Sequence, residues 1–322
     1  MTQPTGQQPQ KPQTKQLDRF KFEVIYLVPI LASIMFGLAC AYLILPQPQS
    51  SAPPVTPISG NSPSVPVGNA LYFVILVAGA AVVMYLLLKR RSHRIIKGLI
   101  VSAMTAASML LSLFYLNILL SYVPVLNDLI VLAGLSIIIT VLFDLAIFRL
   151  GSVARNIAVV AVGGALGIFF GFAIPLWSAI LILVFLAVYD VFAVYKGPVG
   201  KIAESQDGRG LEQLQGLSYS FRDIDMGLGD LVFYSMLTGS LLFFFAGSGQ
   251  PGQLGLPLGI IPCAVSIVGI MVGSVVTFFM LERKGIFPGL PFPIALGLAA
   301  GLITGFVLLP AFHASLIISF LL

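Results

Sequence analysis

Nine apolar runs divide this chain, each near the roughly 20 residues that an α-helix needs to cross the hydrocarbon of a bilayer. They cover Phe22–Leu45, Ala70–Leu88, Leu99–Val123, Leu129–Phe148, Ile157–Ile174, Leu176–Tyr195, Gly229–Ala246, Leu256–Leu281 and Leu290–Leu309. Backbone amides find no water in lipid, so runs of this length fold as helices that satisfy their own backbone. The expected fold class is therefore all-α, a polytopic membrane protein with nine transmembrane helices. Composition agrees: 58% of the 322 residues are hydrophobic and 9% charged, against about 25% charged in soluble domains.

The charges that remain give the chain a direction. The net charge is +5, but the 17 basic residues form no single patch, which argues against a nucleic-acid partner. They fall into five clusters between apolar runs: Lys11/Lys15/Arg19/Lys21, Lys89/Arg90/Arg91/Arg94/Lys97, Arg149/Arg155, Lys196/Lys201/Arg209/Arg222 and Arg283/Lys284. With nine spans every cluster lands on the N-terminal side, and a miscount by one would split them. The positive-inside rule then places the N-terminus in the cytoplasm and the C-terminus outside. Residues 1–21, rich in Gln, Pro and Lys and without a signal-peptide core, read as a disordered cytoplasmic tail. Residues 22–322 form the membrane domain. Within it, the uncharged, Pro- and Ser-rich 46–69 reads as an external loop and 196–226 as a cytoplasmic loop between the sixth and seventh helices. The absence of a signal peptide and of large external domains suits a prokaryotic cell membrane.

Cys40 and Cys263 lie inside apolar runs without metal-ligand spacing and read as packing residues, so neither a disulfide framework nor a metal or other cofactor is expected. Glycines recur every fourth residue at Gly163/Gly167/Gly171, Gly269/Gly273 and Gly297/Gly301/Gly305. Such stripes let membrane helices approach closely.

Of the twelve acidic residues, apart from Glu23 at the very edge of the first run, only Asp144, Asp190 and Asp230 fall inside the runs, where an ionisable group marks function by default. Asp144 sits near the interface with Arg149 and Arg155 just beyond, which favours a structural role; Asp128, at the external end of the fourth run, reads as interfacial. Asp190 lies six residues before Lys196, about 9 Å of helix rise from the cytoplasmic boundary. Asp230 lies eight residues after Arg222, where the seventh helix starts. The two acids thus share a depth on consecutive antiparallel helices. Peptide hydrolysis without a metal needs one group to take a proton from water and another to protonate the carbonyl oxygen and leaving nitrogen. Two aspartates sharing one proton supply both, and the pair titrates as a unit. HExxH, GxSxG and P-loop patterns are absent, and the two histidines, His93 and His313, have no partner in the sequence pattern. Gly227-Leu228-Gly229-Asp230 puts two glycines beside one acid, removing bulk and loosening the helix start.

Three segments together resemble the presenilin and signal peptide peptidase family of GxGD intramembrane proteases, and presenilin more closely. They are Val188-Tyr189-Asp190-Val191-Phe192 with Lys196-Gly197-Pro198 downstream, Gly227-Leu228-Gly229-Asp230 followed by Phe233-Tyr234-Ser235, and Pro288-Gly289-Leu290-Pro291, which is similar to the family's PALP motif with glycine for the usual alanine. The resemblance implies a presenilin-like fold and an aspartic endopeptidase that cuts within transmembrane segments. By the same resemblance Asp190 and Asp230 are the catalytic pair, while Tyr189, Gly227, Leu228, Gly229, Pro288, Gly289 and Leu290 shape the site and bind substrate. The 31 residues of 196–226 are far shorter than the loop cut during presenilin maturation, so an intact chain is expected. The specific motifs lie from Pro175 to Leu298; the first five runs match only as apolar helices.

The orientation, shared with presenilin, implies transmembrane protein substrates with an external N-terminus, met within membrane lipid. A substrate helix must unwind to expose its amide, and the backbone near Ser218 to Ile224 is a candidate to pair with the extended strand. Whether copies of the chain associate, or accessory subunits are needed, is left open. The rival class is an ion- or proton-coupled transporter or cation leak channel, since intramembrane acids also serve proton relays. Against it, no pair of broken spans recurs in matching halves and no acid sits near the midplane. A prepilin-peptidase-like variant of GxGD chemistry and a non-catalytic scaffold complete the alternatives.

Overall fold

The computed structural model describes residues 22–47, 64–90, 92–123, 128–195, 218–221, 224–246 and 255–308, with a few positions between 53 and 62. The expected tail, residues 1–21, and residues 196–217 and 222–223 of the expected cytoplasmic loop lie outside the described residues. The described helices are α1 (Val28–Ile44, entered through a 3-10 turn at Val24–Leu27), α2 (Ser64–Lys89), α3 (His93–Ser121), α4 (Leu129–Phe148), α5 (Ser152–Ala173), α6 (Leu176–Tyr195), α7 (Leu228–Phe245), α8 (Gly255–Lys284) and α9 (Pro291–Ile303, continued by a π turn Thr304–Leu308). The first eight are long and apolar enough to cross a membrane; α9 with its π turn is a shorter apolar helix, Pro291–Val307.

Four helix starts differ from the expectation by more than one residue: α1 begins at Val28, after the 3-10 turn from Val24, rather than at Phe22, α5 begins at Ser152 rather than Ile157, and the other two are those of α2 and α3. α2 begins at Ser64 rather than Ala70, so residues 64–69 of the expected external loop are helical and the loop is correspondingly shorter. α3 begins at His93 rather than Leu99. Its first turn carries Arg94 and Lys97, too polar to register as hydrocarbon-spanning, yet Ile95 and Ile96 both donate to the Ser92 carbonyl and close the helix. Hydropathy reports what lipid accepts, whereas helix ends are set by backbone hydrogen bonds.

α7 is the central helix, with 72% of its apolar segment buried, while α2 is peripheral at 6%. The close partner of α7 is α5, and the first glycine stripe explains why. A Cβ on Gly163 would lie 2.9 Å from that of Leu231, one on Gly167 would meet the backbone at Val232–Met236, and one on Gly171 would lie 2.8 Å from the Ser240 amide. The stripe is thus the seat of α7, and it fixes the residue next to Asp230. The second stripe does the same for α8 and α9: Gly269 abuts the Leu296–Gly297 backbone and Gly273 the Phe292–Pro293 backbone. Side chains turned to lipid, such as Leu71, Ile75 and Val82 of α2 and Ile137 and Leu142 of α4, remain exposed from the protein.

Two further ties set the ends of the bundle. At one end the Phe22 amide donates to Glu282 Oε2 at 3.2 Å, and Phe22 stacks on Phe278 with ring centroids 5.9 Å apart, joining the approach to α1 to the end of α8. At the other end Asn69 is fully buried: its Oδ1 accepts from the Ile58 amide and its Nδ2 donates to the Ile58 carbonyl, both at 3.1 Å, and to Ser178 Oγ of α6 at 3.4 Å.

Among the described residues the helical fold carries one addition, a small antiparallel hairpin. β1 (Ser218–Phe221) pairs with β2 (Ile224–Gly227) in the register Ser218↔Gly227 to Phe221↔Ile224, and β2 runs directly into α7.

Candidate active site

The described acids in and at the edge of the middle apolar runs separate by what holds them. Asp144 accepts from Thr105 Oγ1 at 2.7 Å, a bond between α3 and α4 that gives it a structural role. Asp128 is the N-cap of α4, accepting from the Ile130 amide at 3.5 Å. Asp190 stands in the last turns of α6 and Asp230 in the first turn of α7, each half-buried. This is the shared depth inferred from the basic clusters.

The segment between α8 and α9 brings the two acids to one place. α8 ends at Gly285, whose φ of +78° suits glycine and reverses the chain. The chain then passes through Pro288 and Gly289 to Leu290, the N-cap of α9. The Leu290 amide donates to Asp190 Oδ2 at 3.0 Å. One residue earlier, the position a Cβ would occupy on Gly289 lies 3.1 Å from Asp230 Oδ2. The two carboxylates therefore flank a single dipeptide, and they interact electrostatically. Pro288 and Leu290 are buried.

The remaining expected residues take distinct places. Gly227 is the N-cap of α7 in extended conformation, and a Cβ there would come within 3.7 Å of Asp230 Oδ2, so its missing side chain does leave room beside the acid. Gly229 does not: its open side faces Phe233 at 3.6 Å. Leu228 is buried with its Cδ1 near Gly163, anchoring the helix start on α5. Tyr189 is half-buried on α6 beside Asp190.

One participant was not singled out by the sequence. Tyr234, 3% exposed and one turn after Asp230, donates its hydroxyl to the Gly289 carbonyl at 3.0 Å. The only signal for it was its place in Phe233-Tyr234-Ser235; the carbonyl it holds is 55 residues away.

Paired carboxylates at one depth, with a backbone amide donating to one of them, can exchange a proton with a bound water and with a peptide carbonyl. Comparison with known proteins agrees in both sequence and shape. The family described as signal-peptide peptidase, presenilin aspartyl protease matches residues 32–200, a span that includes Asp190 and ends before Asp230. Two solved structures of a presenilin family intramembrane aspartate protease, in different crystal forms, share the fold: one at TM-score 0.58 and 20% identity, covering 86% of this chain and 97% of the other, the second at 0.58 and 21%, covering 88% and 97%. No curated protein matches the chain.

Proposed function

Since the chain belongs to the signal-peptide peptidase and presenilin aspartyl protease family, we propose that Asp190 and Asp230 are its catalytic pair. The protein is a multi-pass intramembrane aspartyl protease acting on transmembrane protein substrates. The observation that carries the assignment is that the Leu290 amide donates to Asp190 while the adjacent Gly289 leaves little more than the space of a missing side chain beside Asp230.

In the proposed reaction the pair holds one proton. The ionised carboxylate takes a proton from a water as its oxygen bonds to the scissile carbonyl carbon, and the protonated carboxyl gives its proton to the carbonyl oxygen, forming a gem-diol. Collapse returns a hydroxyl proton to one carboxylate while the other carboxyl protonates the amide nitrogen. The C–N bond breaks, leaving a new carboxyl end, a new amine and the pair with one proton again.

The described basic residues sit at the last turns of even-numbered helices and the first turns of odd-numbered ones, or just beyond: Lys89, Arg90, Arg94, Lys97, Arg149, Arg155, Arg283 and Lys284. On the positive-inside rule this supports an N-terminus in the cytoplasm of a cell membrane and an active site in the cytoplasmic third. Substrates with an external N-terminus then present their chain in the presenilin-like sense. The β1–β2 hairpin enters α7 three residues before Asp230 and, as a two-stranded sheet, has open edges for an unwound substrate strand. A hydroxyl-bearing transition-state analogue tests the chemistry. It should block cleavage of a single-span substrate in detergent at concentrations far below the substrate KM, because its hydroxyl mimics the tetrahedral intermediate. Cleavage insensitive to it would overturn the reading.

A further inference from the structure

The peptide between Gly289 and Leu290 is held at both ends by different helices. Its carbonyl accepts from Tyr234 Oη of α7 at 3.0 Å, and its N–H donates to Asp190 Oδ2 of α6 at 3.0 Å. In a trans peptide these two groups are rigidly coplanar and point in opposite directions, and no described bond is cis. Whatever fixes the carbonyl therefore aims the N–H. Gly289 has no Cβ to restrain rotation of that peptide, so its orientation depends on the hydrogen bonds it makes. Were it to turn over, the carbonyl would face the Asp190 carboxylate and the Leu290 donor would be lost, leaving only the weaker approach of the Gly289 amide.

We propose that Tyr234 is a positioning residue for catalysis, its hydroxyl locking the Gly289–Leu290 peptide so that the Leu290 N–H donates to Asp190. The inference rests on Asp190 and Asp230 being the catalytic pair. Tyr234 touches no reacting atom. It lies one turn beyond Asp230 on the helix seated against α5, and so transmits the fixed position of α7 to the acid on α6. The effect falls on the chemical step rather than on capture of the substrate helix, because the amide it orients meets the carboxylate.

The test is Tyr234→Phe, which removes one oxygen and keeps the ring, assayed beside the parent, Asp190→Ala and Asp230→Ala on a single-span substrate. The expected result is a kcat about 10- to 100-fold lower with KM within about twofold, and affinity for a hydroxyl transition-state analogue weakened by the same factor as kcat. A second variant removes the donor itself, replacing Leu290 by its α-hydroxy acid so that an ester oxygen stands where the N–H was. It should lower kcat similarly, and adding Tyr234→Phe should change kcat by less than about twofold further, since both act through one peptide. Tyr234→Phe with kcat within twofold of the parent, a loss confined to KM, or additive losses in the double variant would each overturn the proposal. Should Tyr234→Phe not purify as folded protein, an undiminished kcat in the ester variant alone overturns it. If the aspartate variants themselves cleave, it is the assignment of the pair that fails, and the two failures are thereby told apart.

Discussion

The amide of Leu290 donates to the carboxylate of Asp190 at 3.0 Å across one hundred positions of sequence. That contact places the α8–α9 connection inside the site, and its neighbour Gly289 sets how much space is left at Asp230. A Cβ at Gly289 would lie 3.1 Å from Asp230 Oδ2. Gly289→Ala, the residue usual in the family this segment resembles, demands a shift of a few tenths of an ångström and should retain most activity. Gly289→Val adds two further methyl groups on that Cβ beside the carboxylate and should lower kcat at least about 100-fold, as a misplacement near 1 Å does. Steady-state cleavage by the two variants checks this; a fully active valine variant would show that the contact does not shape the site.

The seat of α7 on α5 should be sensitive to a single side chain. Gly167→Leu would thrust a side chain into the Val232–Met236 backbone and should destabilise the protein by about 1–3 kcal/mol or more. Gly79→Leu, where nothing lies within 4 Å of the added Cβ, serves as the control and should leave thermal unfolding in detergent unchanged.

Asn69 binds the Ile58 backbone and Ser178 from a fully buried position. Asn69→Leu should orphan the Ile58 amide and carbonyl at about 1–3 kcal/mol. Hydrogen exchange should then quicken at the Ile58 amide while α7 keeps its protection. Unchanged exchange at Ile58 would mean the clasp is not formed in the membrane.

Orientation can be read by labelling. In right-side-out vesicles of a variant lacking both native cysteines, Ser62→Cys should react with an impermeant maleimide, and Ser152→Cys should react only after permeabilisation; both positions are exposed in the structure. The reverse pattern would invert the active site and the sense of its substrates.

Lipid made much of this architecture readable from residues alone. The nine runs emerged as nine described helices because in hydrocarbon a long apolar segment has no stable alternative. Asp190 and Asp230 stood out because ionisable groups are rare there. The glycine stripes at Gly163/Gly167/Gly171 and Gly269/Gly273 became helix contacts, since four-residue spacing aligns small residues on one face. Helix starts at Ser64 and His93 were missed because interfacial turns are helical without being apolar. The hairpin was missed as the chain's own pairing: four-residue strands are marginal alone and carry too short a pattern to register. Tyr234 was invisible as a hydrogen-bond donor because its acceptor is a backbone carbonyl on another helix connection, and a carbonyl leaves no mark in a sequence.

The pairing of Asp190 with Asp230 is tested most directly by cleavage of a fluorescent single-span substrate co-reconstituted with the purified chain in liposomes. The parent should release peptide products, and Asp190→Ala and Asp230→Ala should each reduce the rate to background while purifying as folded protein. Product release by either variant at near the parent rate, or acid-dependent ion flux without any peptide product, would contradict the account.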